Sequence, residues 1–402
     1  MAKKKTRKPS KKNQIKLTPF LIIIIVVAVI VTVFFMYRAG KFDPLISSIK
    51  EKFGLVEETP AEEPVEEESP SEGNENQNPV VIGDGELSIS FMELGNKYTG
   101  DSIYIKAGEY DILIDAGSRN ASSTTISNYV NQYCTDNKLE IVIATHAHQD
   151  HIAGFVGTNA NPGIFDLYQC DLIIDFPKTN ATSAVYNNYV AKVNAEVEAG
   201  AKHFNALECY NNTDPENGAK RVFDLTEDIK MEILYNYYYE HDTSNENNYS
   251  VCVMFSHGER KFLLTGDLEA EGEEKLVENN SLSKVNVYKA GHHGSYTAGS
   301  DKLLEVIKPE KVVCCCCCGS TEYTSNPDNT FPAQAFIDRV FKYTKDVYVT
   351  TIATDAEPGY TSMNGNIMII SNKDALQLIC SNNDTRLIDT EWFKNNRRWI
   401  DE

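Results

Sequence analysis

The stretch Thr145–Phe155, THAHQDHIAGF, constrains this chain more than any other. It places three histidines and an aspartate, His146, His148, Asp150 and His151, within six residues, directly after the apolar run Glu140–Ala144. A short apolar run that ends at a change of pattern reads as a buried strand. If the strand persists, His146 and His148 are two residues apart, point the same way and can grip one cation. Asp150 and His151 follow the bend and can face a second cation beside it. Imidazole nitrogens with a carboxylate are the donor set that zinc, manganese and iron accept. A chance surface cluster is the alternative, but the position of the motif after a strand suits a metal-binding loop.

The pattern around the motif is that of a layered α/β domain. From about Val80, apolar or alternating segments predict strands at Leu87–Met92, Ser102–Lys106, Asp111–Asp115 and Ile141–Ala144. Further strands are expected at 229–234, 251–255, 261–265, 285–289, 312–317, 347–351 and 367–370. Val185, Tyr189, Val193 and Val197 recur on one helical face, and Leu303, Val306 and Ile307 predict a shorter helix. Strands and helices mixed over one continuous stretch of this length can bury a substantial α/β core. No internal repeat interrupts it.

What precedes this domain has a different character. The first 16 residues carry eight basic side chains and no acid, and an unbroken apolar run, Phe20–Tyr37, follows. Eighteen residues at a helical rise of about 1.5 Å span roughly 27 Å, close to the hydrocarbon thickness of a bilayer. The run ends in Met36, Tyr37 and Arg38, which fit a signal-peptide cleavage site poorly. The expectation is therefore a basic cytoplasmic segment over 1–19, one uncleaved transmembrane helix over 20–37, an acidic extended linker over 38–79 and a catalytic domain over 80–402. With the basic flank in the cytoplasm, the chain is placed in the cell membrane as a single-pass protein with its catalytic domain extracellular. Nine glutamates and three prolines between Glu57 and Glu75 make the linker self-repelling and extended.

Charge bounds the partners. The net charge is −20, and removing the eight leading cations leaves −28 for the remainder. Such a field repels polyanions at long range and counts against a broad, non-specific nucleic-acid surface. The run Cys314–Cys318, flanked by Val312, Val313 and Gly319, reads as a buried strand, because free cysteine behaves as a small hydrophobe. A soft-metal site is disfavoured there, because strand neighbours face opposite ways. Cys252 and Cys380 are expected at buried strand positions.

HAHQDH at His146–His151 matches the HxHxDH signature of the metallo-β-lactamase superfamily, and further pieces follow in that family's order. ILIDAG (112–117) resembles the strand whose aspartate, Asp115, supports the metal loop. FLLTGD (262–267) resembles the strand that delivers a bridging aspartate, Asp267. AGHHGS (290–295) resembles the last metal-ligand motif, with His292 or His293 as the ligand. FLLTGD followed by AGHHGS is similar above all to the exported metallo-β-lactamase-like domain of ComEC-type competence proteins. The resemblance covers about Leu87–Ile370 and does not extend to their multi-span channel region.

The resemblance implies an αββα four-layer sandwich and one or two divalent ions, zinc or manganese. The implied ligands are His146, His148, Asp150, His151, Asp267 and His292 or His293, with Asp150 and Asp267 also orienting a metal-activated water. Asn247, Asn248 and Ser295 are candidates to position substrate. Two departures stand out. Many superfamily members have a histidine where this chain reads NENNYSV (245–251), which leaves His146 and His148 without an obvious third partner; His241 is a weaker substitute. A His-Pro pair expected after the Cys-Gly turn appears as Phe331-Pro332. Asp101, in the altered loop GNKYTGDS, is expected to support the ligands. Tyr235, Tyr237, Tyr238 and Tyr239 are expected to pack on the domain, and His203 and His257 to be structural.

The expected function is that of an exported, membrane-tethered hydrolase acting on a phosphodiester, nuclease-like, in competence and DNA uptake. Membrane and a nucleic-acid or phosphodiester substrate are the partners inferred, with no obligate protein partner. Three alternatives stand: an ester of the envelope or a small molecule as substrate, a catalytically weak surface scaffold, and a β-lactamase. The fold alone cannot choose among these chemistries.

Overall fold

The computed structural model describes residues 79–399, which belong to one compact unit. The basic start, the apolar run Phe20–Tyr37 and the acidic linker up to residue 78 lie outside the described residues. No helix within the described residues is long and apolar enough to cross a membrane.

Among the described residues, sixteen strands make two eight-stranded sheets. The chain opens with β1 (Leu87–Phe91), β2 (Ile103–Ala107), β3 (Tyr110–Ile114), β4 (Lys138–Ile143), β5 (Gln169–Asp175) and β6 (Lys202–Asn205). It continues with β7 (Val222–Asp224), β8 (Ile229–Ile233), β9 (Val253–His257), β10 (Arg260–Leu264), β11 (Val287–Lys289), β12 (Lys311–Cys318), β13 (Val347–Ala353) and β14 (Tyr360–Ser362), and closes with β15 (Ile367–Ser371) and β16 (Leu376–Cys380). The first sheet runs β16-β15-β1-β2-β3-β4-β5-β6 and the second β14-β13-β12-β11-β10-β9-β8-β7. β1, β2 and β3 pair antiparallel, whereas β3 to β6 and β10 to β13 pair parallel. Parallel strands are covered on both faces, which is why they read as unbroken apolar runs.

Two hydrophobic clusters show the layering. One joins inward residues of both sheets, such as Ile89, Ile141, Phe262 and Val313, to Ile126, Phe155 and Tyr189 from helices over the first sheet. The other joins the outer face of the second sheet to Leu276, Leu303, Leu304 and Phe336 from helices Ala270–Asn279, Asp301–Ile307 and Gln334–Val340. The order is helix, sheet, sheet, helix, which is the expected four-layer α/β arrangement.

The cysteine run is β12, in the middle of the second sheet, and all five thiols are buried. Cys315 packs in the cluster between the sheets, while Cys314, Cys316 and Cys318 pack under the outer helices. Burial pushes their thiols above the ordinary range, so they act as small core residues. Differences from the sequence expectation concern edges. β6, β7 and β14 are three or four residues long, too short for a periodic signal. Cys380 is half-buried on edge strand β16, and Val197 is 42% exposed at the end of helix Ala184–Ala199, whose buried face reduces to Tyr189 and Val193.

One contact fixes the loop that carries the histidines. Gly154, in helix Gln149–Val156, donates its N–H to Ala116 O at 3.1 Å, and a Cβ there would lie 2.0 Å from the same oxygen. The helix can thus lie directly on the end of β3. Gly154→Ala is expected to destabilise the fold by about 1–3 kcal/mol, the usual cost of overpacking, read as a lowered Tm by differential scanning fluorimetry.

Candidate metal centre

Five segments at one end of the two sheets deliver buried ionisable side chains to a common point. Asp101 comes from the loop before β2, Asp115 follows β3, His151 lies in the helix after β4, Asp267 follows β10, Lys289 ends β11 and His293 follows it. All six are 1% exposed or less. Asp150 joins them with a side chain 13% exposed.

Local backbone geometry aims these groups. Asp115 has φ of 59°, which turns the chain sharply as β3 ends; aspartate is one of the few residues that enters this left-handed region readily. Its carboxylate accepts Thr145 N–H and Thr145 Oγ1–H, both at 2.8 Å. His292 and His293 are consecutively left-handed, at φ 44° and 56°. Two such residues in succession are costly and persist only where their surroundings hold them. The double turn sends His293 inward and leaves His292 at the rim.

The hydrogen bonds also choose which ring nitrogen faces the centre. His151 Nδ1 donates to Asp115 Oδ2 at 2.7 Å, and His293 Nδ1 donates to Cys315 O at 2.9 Å. Each ring therefore presents Nε2 to Asp267 Oδ2, in both cases at 3.1 Å. Such outer partners fix tautomer and orientation at metal-binding histidines. His293 Nε2 is also 3.4 Å from Asp150 Oδ2, yet it makes no hydrogen bond in its buried position. A buried nitrogen without a hydrogen bond, facing two carboxylates, fits a cation. Donor atoms of Asp150, His151, Asp267 and His293 all lie within 4.8 Å of one another.

Electrostatics agree. Burial alone would raise the carboxyls of Asp150 and Asp267, but the adjacent His151 and His293 rings hold both well below the usual range, with Lys289 adding to the effect on Asp267. Burial likewise opposes charge on His151 and His293, and the surrounding carboxylates overcome it and raise both. The pocket is thus strongly selective for positive charge. His146 behaves oppositely, because burial and the neighbouring His151 push it well down, so its ring stays neutral.

The expected site residues divide into three sets. Asp150, His151, Asp267 and His293 meet in the centre. His146 and His148 pair with each other beside it, Nε2 to Nδ1 at 3.0 Å, where His146 is buried and His148 exposed. His292 is half-buried at the rim, and Asn247 and Ser295 are buried next to it. His292 Nδ1 is 3.2 Å from Glu269 Oε1 and 3.2 Å from Thr297 Oγ1, Asn247 Nδ2 donates to Glu269 Oε1 at 2.9 Å, and Ser295 Oγ bonds Thr297 Oγ1 at 2.9 Å. Asn248 is buried and accepts Glu269 N–H. His241 stacks on Tyr237 in an exposed position and joins no ligand group.

Lys289 and Tyr323 were not anticipated. Lys289 pairs with Asp101, lies 3.4 Å from Asp267 Oδ1 and donates to Gly266 O at 3.1 Å. A lone lysine ending the apolar stretch VNVY, immediately before AGHHGS, is the signal that could have found it. Tyr323 Oη donates to Asp150 Oδ2 at 2.9 Å from a loop that has no local sequence signal. Phe331, where a histidine was expected, places its ring 5.7 Å from both His292 and His293 and 5.6 Å from Tyr323.

Comparison with known proteins finds relatives for part of this arrangement. Residues 95–157, which span Asp101, Asp115 and the histidine motif, match the metallo-beta-lactamase superfamily model. The chain is 30% identical over 111 residues to Recombination protein 2 of Haemophilus influenzae, covering 28% of this chain and 13% of that protein. It is 25% identical over 240 residues to Competence protein ComA of Neisseria gonorrhoeae, covering 58% and 28%. Over these stretches the chain is similar to the metallo-β-lactamase superfamily and to ComEC-like competence proteins. It is also 31% identical over 83 residues to Exodeoxyribonuclease WalJ of Streptococcus pneumoniae, covering 21% and 30%. The matched stretches thus span less than a third of each of these relatives. The matched stretch carries the histidine motif, and the buried His/Asp cluster is the candidate metal centre.

If Asp115 orients His151, then Asp115→Ala should weaken divalent-ion binding about 10–100-fold, the usual cost of losing such a partner. Isothermal titration with zinc measures it, and unchanged affinity would remove Asp115 from this role.

Proposed function

We propose that this metallo-β-lactamase superfamily member is a phosphodiesterase that acts on nucleic-acid strands at short range, tethered to the outer face of a cell membrane. The observation that carries the proposal is the buried cluster of Asp150, His151, Asp267 and His293, with His293 Nε2 facing two carboxylates and making no hydrogen bond. A divalent ion bound there supplies a water of lowered pKa and charge to neutralise the reacting phosphoryl oxygens.

The chain's own groups do the rest. Asp150 and Asp267 would hold the ion and orient the attacking water. Asp115 and Cys315 O keep the two Nε2 atoms aimed at one point. Beside the centre, Asn247 Nδ2 and the Ser295 and Thr297 hydroxyls form a hydrogen-bonded polar group with Glu269 and His292 that would meet a phosphate's free oxygens.

Two observations favour a nucleic-acid substrate read locally. Among the described residues, Tyr296 and Tyr323 are the exposed aromatic side chains, each 52% exposed, and both flank the centre: Tyr296 is three residues beyond His293, and Tyr323 bonds Asp150. Exposed rings beside a phosphodiester site can stack bases without reading sequence. The acidic balance opposes an extended backbone track, so recognition over a few nucleotides is the consistent form. The exodeoxyribonuclease named among the relatives points the same way. Tethering rests on the basic segment and the apolar run Phe20–Tyr37.

The full chain in detergent, supplied with zinc or manganese, is expected to cleave bis-p-nitrophenyl phosphate and single-stranded DNA, and Asp150→Ala to abolish both. Turnover of nitrocefin instead would point to a β-lactamase, and bound metal without any phosphodiester cleavage would point to an ester or envelope substrate. Tyr296→Ala should weaken single-stranded DNA binding by about 1–3 kcal/mol, the usual value of one stacked base, and leave cleavage of a glycerophosphodiester, which has no ring to stack, unchanged. Equal loss on both substrates would remove the stacking role.

A further inference from the structure

The site contains two sets of imidazole donors, and carboxylates complete one of them. Asp150, His151, Asp267 and His293 converge within 4.8 Å. His146 and His148 are bonded to each other and, among the described residues, belong to no group of three or more His, Cys, Asp or Glu donors. The histidine that the sequence resemblance would supply as a third imidazole falls in NENNYSV (245–251), where the chain has Asn247 and Asn248. Both amides are engaged with Glu269, Asn247 through Nδ2 and Asn248 through Oδ1. Asn247 Oδ1 remains without a hydrogen bond, but a neutral amide oxygen is a poorer donor to zinc than imidazole or carboxylate.

Asp267 supplies the second part of the argument. Its Oδ2 faces His151 Nε2 and His293 Nε2, whereas its Oδ1 faces the buried ammonium of Lys289 at 3.4 Å. A carboxylate that served two ions would have to offer density to both. Here the second oxygen already faces a fixed positive charge, which Asp101 and Gly266 O hold in place. Beside that buried ammonium a further cation is repelled.

We propose that the centre takes one divalent cation, held by Asp150, His151, Asp267 and His293, and that Lys289 supplies the fixed positive charge beside Asp267 that a second ion would otherwise supply. His146 and His148 then remain a hydrogen-bonded pair at the edge of the site, free of metal. The proposal rests on the metal-dependent reading of this centre and goes beyond it in stoichiometry and ligand set.

The test uses the full chain in detergent, stripped with chelator, reloaded with Mn²⁺ or Zn²⁺ and desalted. Metal per chain is measured by plasma mass spectrometry, and the Mn²⁺ form by electron paramagnetic resonance. One equivalent with an uncoupled Mn²⁺ signal is expected for the wild type and for the His146→Ala/His148→Ala double variant. Loss of that equivalent is expected for His293→Ala, with circular dichroism of the metal-free proteins confirming that each is folded. Two equivalents with a coupled Mn²⁺ signal, falling to one in the double variant, would overturn the proposal. So would one equivalent that disappears in the double variant, or no bound metal at all. A one-ion protein that leaves every phosphodiester intact would instead overturn the proposed function and leave the one-ion centre standing.

Discussion

The structure turns on charge compensation at the end of the sandwich. Asp101, Asp115 and Asp150 come from loops of the first sheet, and Lys289 and His293 from the second. Carboxylates buried this deeply are tolerated only with partners, so the two sheets are held in one relative arrangement by the need to bring those partners together. Asp267 lies across the seam, facing His151 on one side and Lys289 and His293 on the other. The same carboxylates that cost folding free energy are the ones that can bind a cation. Stability and binding are therefore coupled through one cluster.

The hydrophobic layers make that cluster possible by leaving it nowhere else to go. The strands leading into it, β3, β4, β10 and β11, are buried on both faces, and each ends where a polar group is needed. β12 lies beneath, and its cysteines contribute volume without hydrogen-bonding demand, apart from the Cys315 carbonyl that orients His293. A core of small, soft side chains is an unusual choice for a central strand, but it fits the same requirement as valine. The strained double turn at His292 and His293 is held by hydrogen bonds on both sides, from His292 N to Gly266 O and from Ser295 N to His292 O. Glu273 anchors the segment that follows by accepting Gly299 N–H and Ser300 N–H.

The rim differs from the centre in kind. Its groups, His292, Asn247, Thr297 and the exposed Tyr296 and Tyr323, are joined by hydrogen bonds or open to solvent. Buried groups at the centre set where a cation sits; the more accessible groups at the rim can adapt to what approaches it. This separation lets one fold keep its metal chemistry while substrate changes. Replacement of a histidine by Phe331 moves the rim toward an apolar wall against both histidines.

By itself the sequence determined the strands that carry the site and the residues at their ends. Short apolar runs identify β4 and β10 and a longer one β12, and the motifs HAHQDH, ILIDAG, FLLTGD and AGHHGS mark where those and neighbouring strands deliver polar groups. Local pattern reaches this far because strand burial and motif spacing are local properties. It could not reach the short edge strands, which have too few residues to show a period. Nor could it choose between His292 and His293, because a left-handed double turn, stabilised by contacts from β10 and β12, decides which ring points inward. Lys289 and Tyr323 owe their roles to groups 188 positions away in Asp101 (289 − 101) and 173 in Asp150 (323 − 150). Lys289 reaches Asp267 between the neighbouring strands β10 and β11 of one sheet, but the meeting of Asp101 and Asp150 with Lys289 and His293, and of His151 with Asp267, was decided only when the two sheets closed on each other, because those pairings exist between sheets and not along either one.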